Sequence, residues 1–179
     1  MRILRAVVAA SLVVATLAAC TSSPTPRPGV DGSAKDAAFG LRIHADRATY
    51  RSTDPIVVEA ELSFLGLAPD ITVFGATGLV GFGVRQTDGH LRMEPAGDLV
   101  CAEQKVGRLT PLHVRFAKSG GFSGEDPDAA FWQAYFADPV LHLPAGTWQL
   151  SAVADFQTGD RCTPPDHSLT ATVTVQVLP

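Results

Sequence analysis

Five histidines, three cysteines and one acidic cluster are the side chains of this 179-residue chain best equipped for chemistry. His44, His90, His113, His142 and His167 follow no H-x-x-x-H or H-E-x-x-H spacing, the local pattern that metal ligands usually show. They read as surface or turn residues, with a zinc site assembled in space as the alternative. Gly121-Phe122-Ser123-Gly124 falls one residue short of a G-x-S-x-G nucleophile elbow and sits in a loop. Glu125, Asp126 and Asp128 could attract calcium, but they lack the D-x-D-x-D-G order. Capping of a helix start explains them better, with Asp126 as N-cap and Pro127 at the first helical position. The Gly-rich run Gly75–Gly83 has no phosphate-loop pattern and reads as a bulged edge. These residues predict no catalytic group, no metal and no cofactor, and the chain reads as non-enzymatic.

The densest functional signal is aromatic. Phe122, Phe131, Trp132, Tyr135 and Phe136 fall within fifteen residues, in a segment (117–138) that interrupts two strand-like regions. On a helix, Phe131, Ala134 and Tyr135 share one face, while Trp132 and Phe136 share another. The expected reading is an exposed patch that docks a protein or a glycan, with Trp132 or Phe136 open to solvent. The alternative is a structural lid that buries all five rings.

The elements that must position these residues follow from hydrophobic periodicity. Arg2 and Arg5 precede an uncharged apolar run from Ala6 to Ala19, too short to span a bilayer comfortably. The run ends in Leu17-Ala18-Ala19-Cys20, which resembles the lipobox of bacterial lipoproteins. The resemblance implies a signal peptide (1–19) cut before Cys20, a diacylglycerol on that cysteine and further acylation, with chains such as palmitate, at the new amino terminus. It places the protein at the extracytoplasmic face of a cell membrane, held by lipid. Thr21 stands where inner-membrane members often carry aspartate. Cys101 and Cys162 then remain as an even pair in an oxidising compartment, where a disulfide is the default. Cleavage would leave twelve basic against eighteen acidic side chains. That balance, with no basic run, argues against nucleic acid and leaves membrane contact to the lipid.

Residues 20–38 are rich in Pro, Ser and Gly and are expected to form a flexible tether. Residues 39–179 read as one domain. Phe39, Leu41 and Ile43 alternate with polar or small residues, as do Ile56 to Phe64, Leu112 to Phe116, Trp148 to Phe156 and Leu169 to Val177. Stretches 71–74, 79–86 and 90–94 add strands, with a turn at Asp88-Gly89. A short helix over Ala129–Ala137 is expected in the long crossover loop, ending before Pro139. The prediction is an antiparallel β-sandwich of seven to nine strands, with a barrel as the alternative.

Two stretches resemble bacterial immunoglobulin-like domains: Ala48-Thr49-Tyr50-Arg51-Ser52-Thr53-Asp54-Pro55-Ile56, and Leu143-Pro144-Ala145-Gly146-Thr147-Trp148. The order of parts, including Phe82, Val84, Asp88 and Gly89, is similar to BsuPI-type domains, named for a bacterial proteinase inhibitor. The resemblance implies an immunoglobulin-like fold. It leaves three readings open: a binding or scaffolding module, a proteinase inhibitor, and a small-ligand or metal-binding envelope lipoprotein.

Overall fold

The computed structural model describes residues 28–98, 100–159 and 164–179. Cys20, the lipobox, residues 1–27 and Cys162 lie outside the described residues. The fold is an all-β sandwich of two sheets with one helix. One sheet runs β1 (Val30–Lys35), β2 (Phe39–Ala45), β4 (Val58–Phe64), β8 (Leu112–Arg115). The other runs β3 (Thr49–Arg51), β10 (His167–Leu178), β9 (Gly146–Gln157), β5 (Asp70–Gln86), β6 (Arg92–Met93), and β7 (Ala102–Gly107) also pairs with β5. All pairs are antiparallel except β3 with β10. The helix α1 (Ala129–Ala137) lies between β8 and β9, on the residues that periodicity marks.

The core is what period-2 alternation dictates, because each strand turns alternate side chains to opposite faces. Phe39, Leu41 and Ile43 on β2 face Trp148, Leu150, Ala152, Ala154 and Phe156 on β9, and all eight are fully buried. Val58, Ala60, Leu62 and Phe64 line β4, and Leu169 to Val177 line β10 in the same alternation.

Among the described residues ten strands form where seven to nine were expected, and the extra ones have local causes. β1 lies inside the expected tether. Its six residues, VDGSAK, have poor strand composition but pair in full register with β2. Gly32 permits this: a Cβ there would lie 1.9 Å from the Thr172 carbonyl oxygen, so only glycine lets β1 press against β10. β3 is the central part of the Tyr50 motif. Stretches 71–74 and 79–86 are one long strand, β5, interrupted between Gly75 and Val80 by a bulge. Leu79 lies in that bulge at φ 49°, a left-handed conformation unusual for leucine. The Asp98 carboxylate accepts from the Thr77 amide, and the Gln104 amide donates to the Ala76 and Thr77 carbonyls, which fixes the bulge.

The two family-like stretches are structural corners. Tyr50 is buried and its hydroxyl donates to Asp46 at 2.6 Å. Burial first, and then the Asp46 hydrogen bond, push the phenol well above its ordinary pKa. Arg47 lies over the Tyr50 ring and pairs with Asp46 and Asp54. At the other stretch, Gly146 takes φ 148° and the Asp88 carboxylate accepts the Thr147 amide at 2.9–3.0 Å. The Asp88-Gly89 turn therefore clamps the start of β9. Trp148 is fully buried, with its indole N–H on the Pro144 carbonyl.

Strand directions define two ends of the sandwich. Residue 28 enters beside the end of β2 at Ala45, which pairs with Val58, and β10 finishes at this entry end. The far end carries the β1–β2 turn, Phe64, Asp70 and Gly107.

Candidate interaction sites

The aromatic segment folds over the entry end. After β8 the chain runs through Lys118, makes the turn at Ser123–Asp126 and enters α1. Asp128, not Asp126, is the N-cap residue, and its side chain makes no capping bond. The Asp126 carboxylate instead accepts the Ser123 amide, closing the turn before the helix. Asp128 is engaged by the imidazole of His90 at 3.0 Å.

The exposed-patch expectation is corrected for Trp132 and Tyr135. Trp132 is 4% exposed and Tyr135 5%. They sit at i and i+3, so they share the inward face of α1, and their rings meet edge to face at 5.4 Å. Phe131 and Phe136 flank them, half-buried, and Phe122 stacks on Phe136 at 5.9 Å. The helix caps the core because the open end of a two-sheet sandwich exposes apolar interior, and large rings cover most of it per residue. Phe122, at 37% exposure, is the only one of the five on the exposed side.

A lysine fastens this lid. Lys118 Nζ donates to the backbone carbonyls of Tyr135, Asp138 and Val140, and lies over the Tyr135 ring. The first two carbonyls belong to the end of α1, where the helix leaves acceptors unpaired and its dipole favours a cation. Burial lowers the Lys118 pKa, opposed by Asp138. Burial also raises the Tyr135 phenol well above its ordinary value. Asp138 is held below the usual carboxylate range, first by the His142 imidazole at 2.7 Å and then by the Val140 amide.

The five histidines do not converge. Each faces its own carboxylate: His44 Asp31, His90 Asp128, His113 Glu61, His142 Asp138 and His167 Asp36. Among the described residues, no three metal-type ligands come together. Two histidines share the outer face of the four-stranded sheet. There, register makes two cross-strand rows, Asp31–His44–Glu59–Arg115 and Ser33–Arg42–Glu61–His113. Acid and base alternate along the first row and along Arg42–Glu61–His113 of the second, an arrangement that suits a solvated sheet face. His167 is more enclosed, stacked on Phe156 and edge-on to Phe39. Burial pushes its partner Asp36 up, but hydrogen bonds from His167 and from the Ala38 and Phe39 amides outweigh that and hold it low.

The far end carries a feature that sequence reasoning missed. Leu67 is 96% exposed and Leu109 82%. They lie on the two connections that cross between the sheets at this end, β4 to β5 and β7 to β8. The Arg108 amide donates to the Pro69 carbonyl at 3.0 Å, so the two loops are neighbours. The loops read Leu67-Ala68-Pro69 and Leu109-Thr110-Pro111, each leucine two residues before a proline. That repeated Leu-x-Pro, outside any alternating run, was the available signal.

Compared with known protein families, curated proteins and solved structures, the chain matches none. Among the described residues, no helix is long and apolar enough to cross a membrane.

Proposed function

We propose that this chain is a lipid-anchored binding or scaffolding module on the extracytoplasmic face of a cell membrane, without catalysis of its own. The observation that carries the reading is the opposition of its two ends. Pro28, the first described residue after Leu17-Ala18-Ala19-Cys20, lies at one end, and two largely exposed leucines, Leu67 and Leu109, stand at the other. A module held by lipid on Cys20 would present that far end outward. With β1 folded, the leash from Cys20 to Pro28 is nine residues, about 30 Å when extended.

A Cys101–Cys162 disulfide belongs to the same reading. Cys101 directly precedes β7, whose first residue Ala102 pairs with Gly75. Gly75 also pairs with Phe156, near the end of β9, and Cys162 follows in the β9–β10 connection. The strands next to the two cysteines in sequence, β7 and β9, thus pair with the same residue of β5. In an oxidising compartment a bridge there would close a loop of about 60 residues and stabilise by roughly 4 kcal/mol.

Cys20→Ser tests the anchor. In cells fed a fatty-acid probe, the parent chain should label and the variant should not; equal labelling of both would remove the lipoprotein reading. The proteinase-inhibitor reading has one observation in its favour, the exposed loop at Arg108–Thr110, closed by the Gly107 amide donating to the Thr110 carbonyl. Inhibition of a serine proteinase panel that is lost in Leu109→Asp would make it the better description.

A further inference from the structure

We propose that β1 is a releasable strap, which opens as a unit while the rest of the sandwich stays folded and so lengthens the leash to Cys20. The opening stands on the geometry of β1. Only its effect on reach rests on the anchored-module reading.

β1 is weakly held. It lies at the edge of its sheet, paired with β2 on one side. None of its six residues is fully buried, and only Val30 and Ala34 pack apolar side chains on the core. Its partner β2 buries Phe39, Leu41, Ile43 and Ala45 completely. Asp31, Gly32, Ala34 and Lys35 are residue types depleted in strands, and glycine loses the most backbone freedom on ordering. On the outer face Asp31 meets His44 at 3.0 Å and Arg42 at 3.9 Å, but these side chains are solvent-exposed, where ion pairs add little. What holds the strand is the backbone ladder to β2 and the close approach of Gly32 to the Thr172 carbonyl. A segment with so little buried apolar surface opens at lower free energy than the core beneath it.

The opening has a fixed end. Asp36 closes the β1–β2 turn: its carboxylate accepts the Ala38 and Phe39 amides, both at 2.8 Å, and its own amide donates to the Phe39 carbonyl at 3.0 Å. The His167 imidazole, at the start of β10, holds the same carboxylate at 2.7 Å. Release therefore stops at Asp36 and frees Val30–Lys35. Gly32 lies midway along β1, so losing its contact with β10 leaves both halves of the strand on the edge ladder alone. The same composition explains why residues 20–38 read as a tether in sequence: that reading describes the open strap, and the strand describes the closed one. With Cys20 lipidated, release lengthens the leash from nine residues (20–28) to sixteen (20–35), from about 30 Å to about 50 Å when extended.

Hydrogen exchange on the full Cys20→Ser chain in solution tests the strap without the lipid. Protected amides of Val30–Lys35 should exchange about 100-fold faster than those between β9 and β10, all with one opening free energy. Ser33 and Arg42 stand directly opposite each other and are exposed. Ser33→Cys/Arg42→Cys, oxidised and confirmed by peptide mapping, should slow exchange in β1 to the β9–β10 level, and reduction should restore it. Parent β1 amides that exchange together with the β9–β10 set would overturn the proposal. So would a gradient of protection from Val30 to Lys35, which marks fraying from one end, or an oxidised crosslink that leaves the rates unchanged. Fatty-acid labelling of the parent chain in cells scores the anchor separately. An unlabelled chain with fast exchange in β1 keeps the strap and loses the anchor; a labelled chain whose β1 exchanges with the core does the opposite.

Discussion

The ammonium of Lys118 lies 4.3 Å from the centre of the Tyr135 ring while it donates to three backbone carbonyls around the end of α1. One side chain thus joins the segment after β8 to the lid. Lys118→Met keeps the apolar stem and removes the charged head. The expected loss is about 2–3 kcal/mol, since hydrogen bonds to charged groups contribute more than neutral ones and the carbonyls would lose a partner. Thermal denaturation checks this, with exposed Lys105→Met as the control that should change little.

Trp132 belongs to the core by its 4% exposure. Trp132→Ala should cost on the order of 3–5 kcal/mol by opening a cavity under the lid. Phe122→Ala, on the exposed side, should cost under about 1 kcal/mol. Urea denaturation of the two variants, side by side, separates a plug from a surface ring. Similar small losses in both would mean that the helix does not seal the core.

Much of the fold was legible because burial on one face leaves a period-2 trace. The five rows through Phe39, Val58, Leu112, Trp148 and Leu169 all became strands at those residues. The trace is silent where a strand has no alternating apolar face. β1 is held by backbone pairing and by the close approach that Gly32 allows, so its sequence looks like a linker. β7, with Glu103 and Lys105 exposed and only Val106 and Gly107 buried, has the same problem. At the candidate sites the aromatic cluster was visible, but its orientation was not. A run of five rings says that something apolar is covered, and only the helix phase decides that Trp132 and Tyr135 turn inward. The far-end leucines escaped because apolar residues in turns lie outside any periodic template.

Gly32→Val should detach β1. The new Cβ would sit 1.9 Å from the Thr172 carbonyl oxygen, a backbone atom that cannot give way without moving β10. Hydrogen exchange is the direct measurement: amides of Val30–Lys35 should lose protection, while those of the β9–β10 pair keep it. Unchanged protection in β1 would mean that the two strands are farther apart than described.

The Asp36–His167 pair sets an acid limit. Because the folded pKa of Asp36 lies below its ordinary value near 3.9, the unfolded chain binds more protons in that window and stability rises with pH there. The contribution is present above about pH 4 and is lost as pH falls through the lower folded value. Asp36→Asn should flatten the acid side of a stability–pH curve and leave its slope above pH 5 unchanged. An unaltered acid limb would assign the acid sensitivity to other carboxylates such as Asp138.

The geometry of β1 also has a mechanical meaning. The chain enters β1 at the entry end and the strand runs towards the far end, so a pull on the N-terminal segment is directed along the axis of β1. All six residue pairs with β2, from Val30↔Ala45 to Lys35↔Gly40, resist that pull together in shear. A pull across the strand would instead peel them open one after another. A load on the N-terminal segment would therefore meet the sandwich along the axis of β1, with the first strand acting as a clasp under tension.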